Sequence, residues 1–234
     1  MQELPYRCYS LATDHHTAYS PKGVRSLYIH FNHGSSMNGD FDRTVTALPD
    51  DHSEKKNKPS FKVDRPIVLI GMMGCGKTTV GRRLAARLGV QFLDTDAEIE
   101  KAAGLNVSDI FDYYGETDFR DGERRVIQRL MSEHPRILAT GGGAFINDET
   151  RQLILDKGIA VWLRADLDVL VERTSRRNTR PLLRKGNPRD ILKRLLKDRD
   201  PYYTQAPIQV KTGQGPHESV VQNIIAALRD RYEQ

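Results

Sequence analysis

From Phe61 onward, short apolar runs alternate with segments whose apolar residues recur every three or four positions. The first run, PIVLI (Pro66 to Ile70), is continuous and reads as a buried parallel strand. Val80, Leu84 and Leu88 then recur every fourth residue, and Gly89 follows. That spacing predicts a helix with one buried stripe and a glycine cap. VQFLD is a second strand, and AEIEKAAG a short helix ending at Gly104. Asn106 can cap VSDIFDYYG, with Asp109 three residues on as a capping box. A longer helix is predicted from about Thr117 to Met131, with Phe119, Val126, Ile127 and Leu130 as its apolar points. RILAT is a strand running into three glycines. Asn147 caps DETRQLILDKG, IAVWL is a strand and DLDVLVERT a helix. ILKRLLKDRDPYYTQA is a helix leaving toward Pro201, PIQVKT the last strand, and ESVVQNIIAALRDRYEQ a closing helix. Apolar strands spaced by helices predict an α/β fold: a five-stranded parallel sheet with helices on both faces.

Residues 1–60 lack any such period. The turn-rich segments NHGSSMNGD and PDDHSEKKNKPS mark them as an irregular, mobile extension, leaving 61–234 as the folded domain. His15, His16, His30, His33 and His52 match no metal-ligand spacing, and Met37 is a plausible alternative start. SRRNTRPLLRKGNPRD is polar and basic and reads as an exposed loop.

Composition narrows the class. Of 234 residues, 38% are hydrophobic and 29% charged, as in soluble proteins. No apolar run approaches the roughly 18 residues of a membrane span, and the first residues lack a secretory pattern. Cys8 and Cys75 are the only cysteines, too few for a disulfide framework or a zinc cluster. A cytoplasmic protein is expected. The net charge is +5; residues 1–60 hold seven basic and seven acidic residues, so the excess lies in the domain. No ribbon of aromatic and basic residues accompanies it, so nucleic acid is not an expected partner.

The first candidate chemistry is GMMGCGKTTVG (Gly71 to Gly81), which completes G-x-x-x-x-G-K-[ST] between a strand and a helix. That geometry aims backbone N–H groups at a phosphate. Lys77 would reach the β- and γ-phosphates of a nucleotide, and Thr78 would hold Mg²⁺. Such a loop alone does not separate an ATPase, a GTPase and a small-molecule kinase.

Four other segments bear on the acceptor. Asp94 and Asp96 sit where a strand gives way to a helix, at the end of the sheet where open α/β folds gather functional groups. Helix capping needs only one of them. Arg120 follows Phe119, which is expected to point inward, so its guanidinium could grip a carboxylate. Gly141, Gly142 and Gly143 exceed what a tight turn needs and could lie against a flat ligand. In the basic loop, Arg180 beside Pro181 is the candidate for a cation that arrives on closure, ahead of Arg176, Arg177 and Arg184. Arg199, before DPYY, is a second possible carboxylate grip.

Together these residues resemble the shikimate kinase family. The resemblance rests on GMMGCGKTTVGRRLA, FLDTDAEIE, GLNVSDIFDYYGETDFR, LATGGGA, TRPLL and RDPYY, in that order, across about Arg65 to Glu233. It implies a P-loop kinase fold with a short lid at about 175–188, with ATP and shikimate as substrates and Mg²⁺ as cofactor. Gly74, Cys75, Gly76, Lys77, Thr78 and Thr79 would bind the ATP phosphates. Thr78 would hold Mg²⁺ directly and Asp94 through water. Asp96 would hold the shikimate hydroxyls and take the proton, Arg120 and Arg199 would clamp the carboxylate, and Gly142 would bind through its backbone. Lys77 and Arg180 would act on the transferred phosphoryl group, and Glu123 would orient Arg120. One departure is TGQGPHES after the last strand, where some members carry an arginine near the adenine. A monomer is expected. The competing readings are a kinase for a related metabolite such as gluconate, and a nucleotide-gated switch or nucleic-acid ATPase. The latter would need a partner-responsive segment or added domain that the sequence does not display.

Overall fold

The computed structural model of the chain describes residues 61–132, 134–175 and 186–232. The extension, its histidines and Met37, and Arg176, Arg177, Arg180 and Arg184 of the basic loop lie outside the described residues.

The first predicted strand is β1 (Ile67–Ile70), buried throughout, and α1 (Lys77–Leu88) follows the glycine turn. Val80, Gly81, Leu84 and Ala85 form its buried stripe, and Gly89 caps it in the left-handed conformation at φ 68. β2 (Gln91–Asp94) and α2 (Thr95–Ala103) come next. α3 (Val107–Met131) joins the two predicted helices into one element, broken at Gly115. That residue has φ 82 and ψ 178, outside the helical range and open to glycine at little cost. Asn106 caps α3 by accepting from the Asp109 N–H, as its spacing predicts.

β3 (Arg136–Ala139) leads through the glycines into a short 3₁₀ turn, Ala144–Ile146. α4 (Asp148–Lys157), β4 (Ile159–Ala165) and α5 (Leu167–Ser175) follow. α6 (Pro188–Tyr203) starts three residues before the predicted Ile191. Asn187 caps it, and Pro188 occupies the first turn, where a missing N–H costs nothing. It also runs through Pro201 into its last turn. β5 (Ile208–Thr212) and α7 (His217–Tyr232) complete the chain.

The five strands are all parallel, in the order β2-β3-β1-β4-β5. β1 is therefore central, with Ile67 opposite Ile137 on one side and Ile159 on the other. Helices cover both faces, which is why β1, β3 and most of β4 are buried throughout rather than alternating, with Arg136 at the start of β3 the charged exception. Because the strands are parallel, the segments leaving β1, β2, β3 and β5 emerge at one edge of the sheet. No helix of the described residues is long and apolar enough to cross a membrane.

Candidate active site

The turn between β1 and α1 is built from glycines at positive φ: Gly71 at 132, Gly74 at 82 and Gly76 at 100. Gly76 occupies the N-cap position of α1 and offers no side chain to the first-turn N–H groups. Those donors remain available to an anion at the positive end of the helix. Lys77 folds back over the turn, donating to the carbonyls of Gly71 (2.8 Å) and Met72 (3.0 Å). Cys75 is buried, and its Sγ lies 3.7 Å from Lys77 Nζ. Thr79 is exposed.

Thr78 Oγ1 donates to Asp94 Oδ2 at 2.8 Å. Asp94 ends β2, and its other oxygen accepts from the Asp96 N–H at 3.2 Å, capping α2. One carboxylate thus caps a helix and meets the side chain of Thr78 beside the phosphate turn. Two hard oxygen donors side by side suit Mg²⁺, which takes few protein ligands and keeps the rest as water and phosphate oxygens.

Across from the phosphate turn lies a cleft of about 630 Å³, whose lining includes Asp96, Phe111, Arg120, Glu123, Gly142 and Arg199. Its floor explains why three glycines stand in a row. A Cβ on Gly141 would lie 2.6 Å from Glu123 Oε1 and 2.9 Å from Asp96 Oδ1. One on Gly142 would lie 3.2 Å from Arg199 Nη1, and one on Gly143 would fall within the Arg120 guanidinium, 2.6 Å from Cζ. Each glycine therefore lets a different charged side chain close against the backbone.

Those side chains hold one another. Phe119 is buried with Ile99 and Ile110, which fixes the direction of Arg120 on α3. Arg120 Nη1 donates to Glu123 Oε2 at 2.6 Å, and Nη2 to Glu116 Oε1 at 3.1 Å. Glu123 is only 2% exposed. Burial pushes its carboxyl above the usual carboxylate range; Arg120 opposes that shift, and the nearby Asp96 adds to it. Arg199 is 8% exposed, and its Nη1 donates to the Gly142 carbonyl at 3.0 Å. Two cationic forks and two carboxylates thus share one cleft beside the phosphate turn.

A family model described as shikimate kinase matches residues 73–229. The chain belongs to the shikimate kinase family. A shikimate kinase of Novosphingobium aromaticivorans is 54% identical over 171 residues, covering 71% of this chain and 89% of that relative. A solved structure titled shikimate kinase from Acinetobacter baumannii in complex with shikimate superposes with a TM-score of 0.72 at 40% identity. It covers 74% of this chain and 98% of that one. A gluconokinase from Sinorhizobium meliloti shares the fold alone, at TM-score 0.52 and 21% identity, with coverage of 74% and 96%.

Of the sequence-derived shikimate kinase residues, the structure brings Lys77, Thr78 and Asp94 to the phosphate turn, and Asp96, Arg120, Gly142 and Arg199 to the cleft. Arg180 lies outside the described residues. One residue that sequence reasoning missed is Arg173, on α5. Its guanidinium bridges the carbonyls of Gly74 (3.3 Å) and Gly213 (2.5 Å). A Cβ on Gly76 would lie 3.7 Å from Arg173 Nη1 and 3.9 Å from His217 Cε1. A guanidinium from α5 thus stands beside the segment that follows β5. No local motif signals this, because it depends on the end of β5 lying beside the phosphate turn. Thr212 makes the same connection, donating to the Cys75 carbonyl at 3.0 Å.

Proposed function

We propose that the chain transfers the γ-phosphoryl group of ATP to the 3-hydroxyl of shikimate, giving ADP and 3-phosphoshikimate. The observation that carries this reading is the triple-glycine floor, against which Asp96, Arg199 and Arg120 close in succession beside a phosphate-binding turn. A flat ring bearing a carboxylate and several hydroxyls matches that floor. Arg120 and Arg199 hold the carboxylate, while Asp96 holds the hydroxyls and accepts the proton of the attacking one. Lys77 turns from its loop carbonyls toward the β- and γ-phosphates. Thr78 and Asp94 would hold Mg²⁺, which when bound would supply positive charge beside the phosphates. Arg173, with the backbone at Gly213 and the His217 ring, forms the outer wall of the nucleotide site. Arg180 belongs to this reading as the lid arginine on the transferred group. The working unit is read as a monomer.

Catalysis is then chiefly positioning and charge stabilisation, with little covalent chemistry for the protein to perform. An ADP-release assay across shikimate, quinate, gluconate and no acceptor tests the proposal. Release is expected with shikimate at a rate well above the other three; equal or faster release with gluconate overturns it.

The floor makes a separate prediction. Gly143 has φ −103, which alanine tolerates, so Gly143→Ala strains no backbone but forces Arg120 aside. The expected result is a rise of about tenfold or more in shikimate KM, with ATP KM within about twofold, because the nucleotide site is untouched. Steady-state kinetics with each substrate varied in turn checks it.

A further inference from the structure

Tyr203 has no part in the chemistry described above. It is the last residue of α6, one turn beyond Arg199, and only 1% exposed. Its ring packs on Trp162 of β4, with centroids 5.7 Å apart. A buried phenol needs a hydrogen-bond partner, and the hydroxyl of Tyr203 donates to the Gly142 carbonyl. The same oxygen accepts from Arg199 Nη1 at 3.0 Å, so both its lone pairs are used by α6. Met72 Sδ, on the phosphate turn, lies 3.9 Å from the hydroxyl. Burial pushes the phenol well above the usual tyrosine range, which keeps it a donor at every working pH.

We propose that Tyr203 is a positioning residue for the acceptor. It pins the Gly142 carbonyl, and the pinned carbonyl sets the plane in which Arg199 presents its remaining N–H groups to the shikimate carboxylate. The proposal rests on Arg199 being a carboxylate grip.

A guanidinium is planar and rigid, so anchoring one nitrogen on a fixed acceptor orients the others. An acceptor free to tilt would let the fork rotate with it. In a trans peptide, the C=O and N–H point opposite ways, so a fixed Gly142 carbonyl also fixes the Gly143 N–H. That peptide lies between Arg199 on one side and Arg120 on the other, since the Gly143 Cα faces the Arg120 guanidinium. One hydroxyl thus bears on both cationic groups. The tyrosine ring alone, packed on Trp162, would satisfy the core. The hydroxyl is what the site uses.

Tyr203→Phe keeps the ring and removes only the donor. It is expected to raise shikimate KM about tenfold, the effect of losing one buried hydrogen bond, with ATP KM within about twofold. A structural role would move both constants or neither. The same substitution made in an Arg199→Lys background provides the second test. There the fork is already gone, so Tyr203→Phe should raise shikimate KM by no more than about twofold further. An unchanged shikimate KM in Tyr203→Phe, an equal rise in ATP KM, or the full tenfold rise repeated in the Arg199→Lys background overturns the proposal. If Arg199→Lys itself leaves shikimate KM unchanged, the carboxylate grip is misassigned, and the role of Tyr203 falls with it. The single and double variants therefore separate failure of the inference from failure of the reading beneath it.

Discussion

Asp96→Asn is expected to lower kcat about 100-fold while leaving the fold intact. Asparagine keeps the shape and one acceptor oxygen but cannot take the hydroxyl proton. Loss of a general base costs about 10²–10⁴-fold, and a loose phosphoryl-transfer transition state needs less help from a base, which favours the lower end. Asp94→Asn should behave differently. Its Oδ1 accepts from the Asp96 N–H and its Oδ2 from Thr78. The amide can keep the cap but loses the charge that draws a cation. The expected result is a steeper Mg²⁺ requirement, partly rescued by more Mg²⁺. Pre-steady-state phosphoryl transfer across a Mg²⁺ series separates the two. Wild-type transfer by Asp96→Asn would remove it as the base. Rescue of Asp96→Asn but not Asp94→Asn would reverse the two roles.

Arg120→Lys is expected to raise shikimate KM about 30- to 100-fold and change kcat by less than about threefold. The guanidinium spends one nitrogen on Glu123 and another on Glu116 while its face lies over Gly143. An ammonium is a single point and cannot span those partners and a ligand carboxylate together. Retained affinity would remove Arg120 from the acceptor grip. A fall in kcat of the same size as the rise in KM would place it at the transferred phosphoryl group instead. Isothermal titration with shikimate, alongside initial rates, distinguishes these outcomes.

The elements that sequence made legible were those whose determinants are local. The stripe of α1, the left-handed cap at Gly89 and the Asn106 cap depend on residues within one or two turns, and each stands where expected. Boundaries set by a weaker signal moved. Pro188 reads equally as a loop residue or a helix start, and only the Asn187 cap decides it. The candidate site was legible in the same way. Asp94 and Asp96 flank the junction of β2 and α2 and Gly142 follows β3, whereas Arg120 lies within α3 and Arg199 one turn before the end of α6. Arg173 and Tyr203 escaped because their partners, Gly213 and Gly142, are distant in the chain. No periodicity encodes which carbonyl a side chain will meet. The spacing of three glycines was visible, but its reason was not until each was seen to make room for a different side chain.

The central place of β1 carries a consequence for how this chain reaches its native state. Its neighbours are β3 and β4, with Ile67 pairing to Ile137 and Ile159, so the strand that launches the phosphate turn must wait for chain made much later. Closing such distant pairings is slow compared with forming local helices. Thr212 and Arg173 then brace the turn from β5 and α5, later still in synthesis. A nascent chain emerging from the ribosome therefore has no nucleotide site until nearly all of the domain has been released. A nucleotide that binds only the finished turn would stabilise it by mass action, so ATP should act as a late selector of correctly folded molecules and protect the domain against proteolysis.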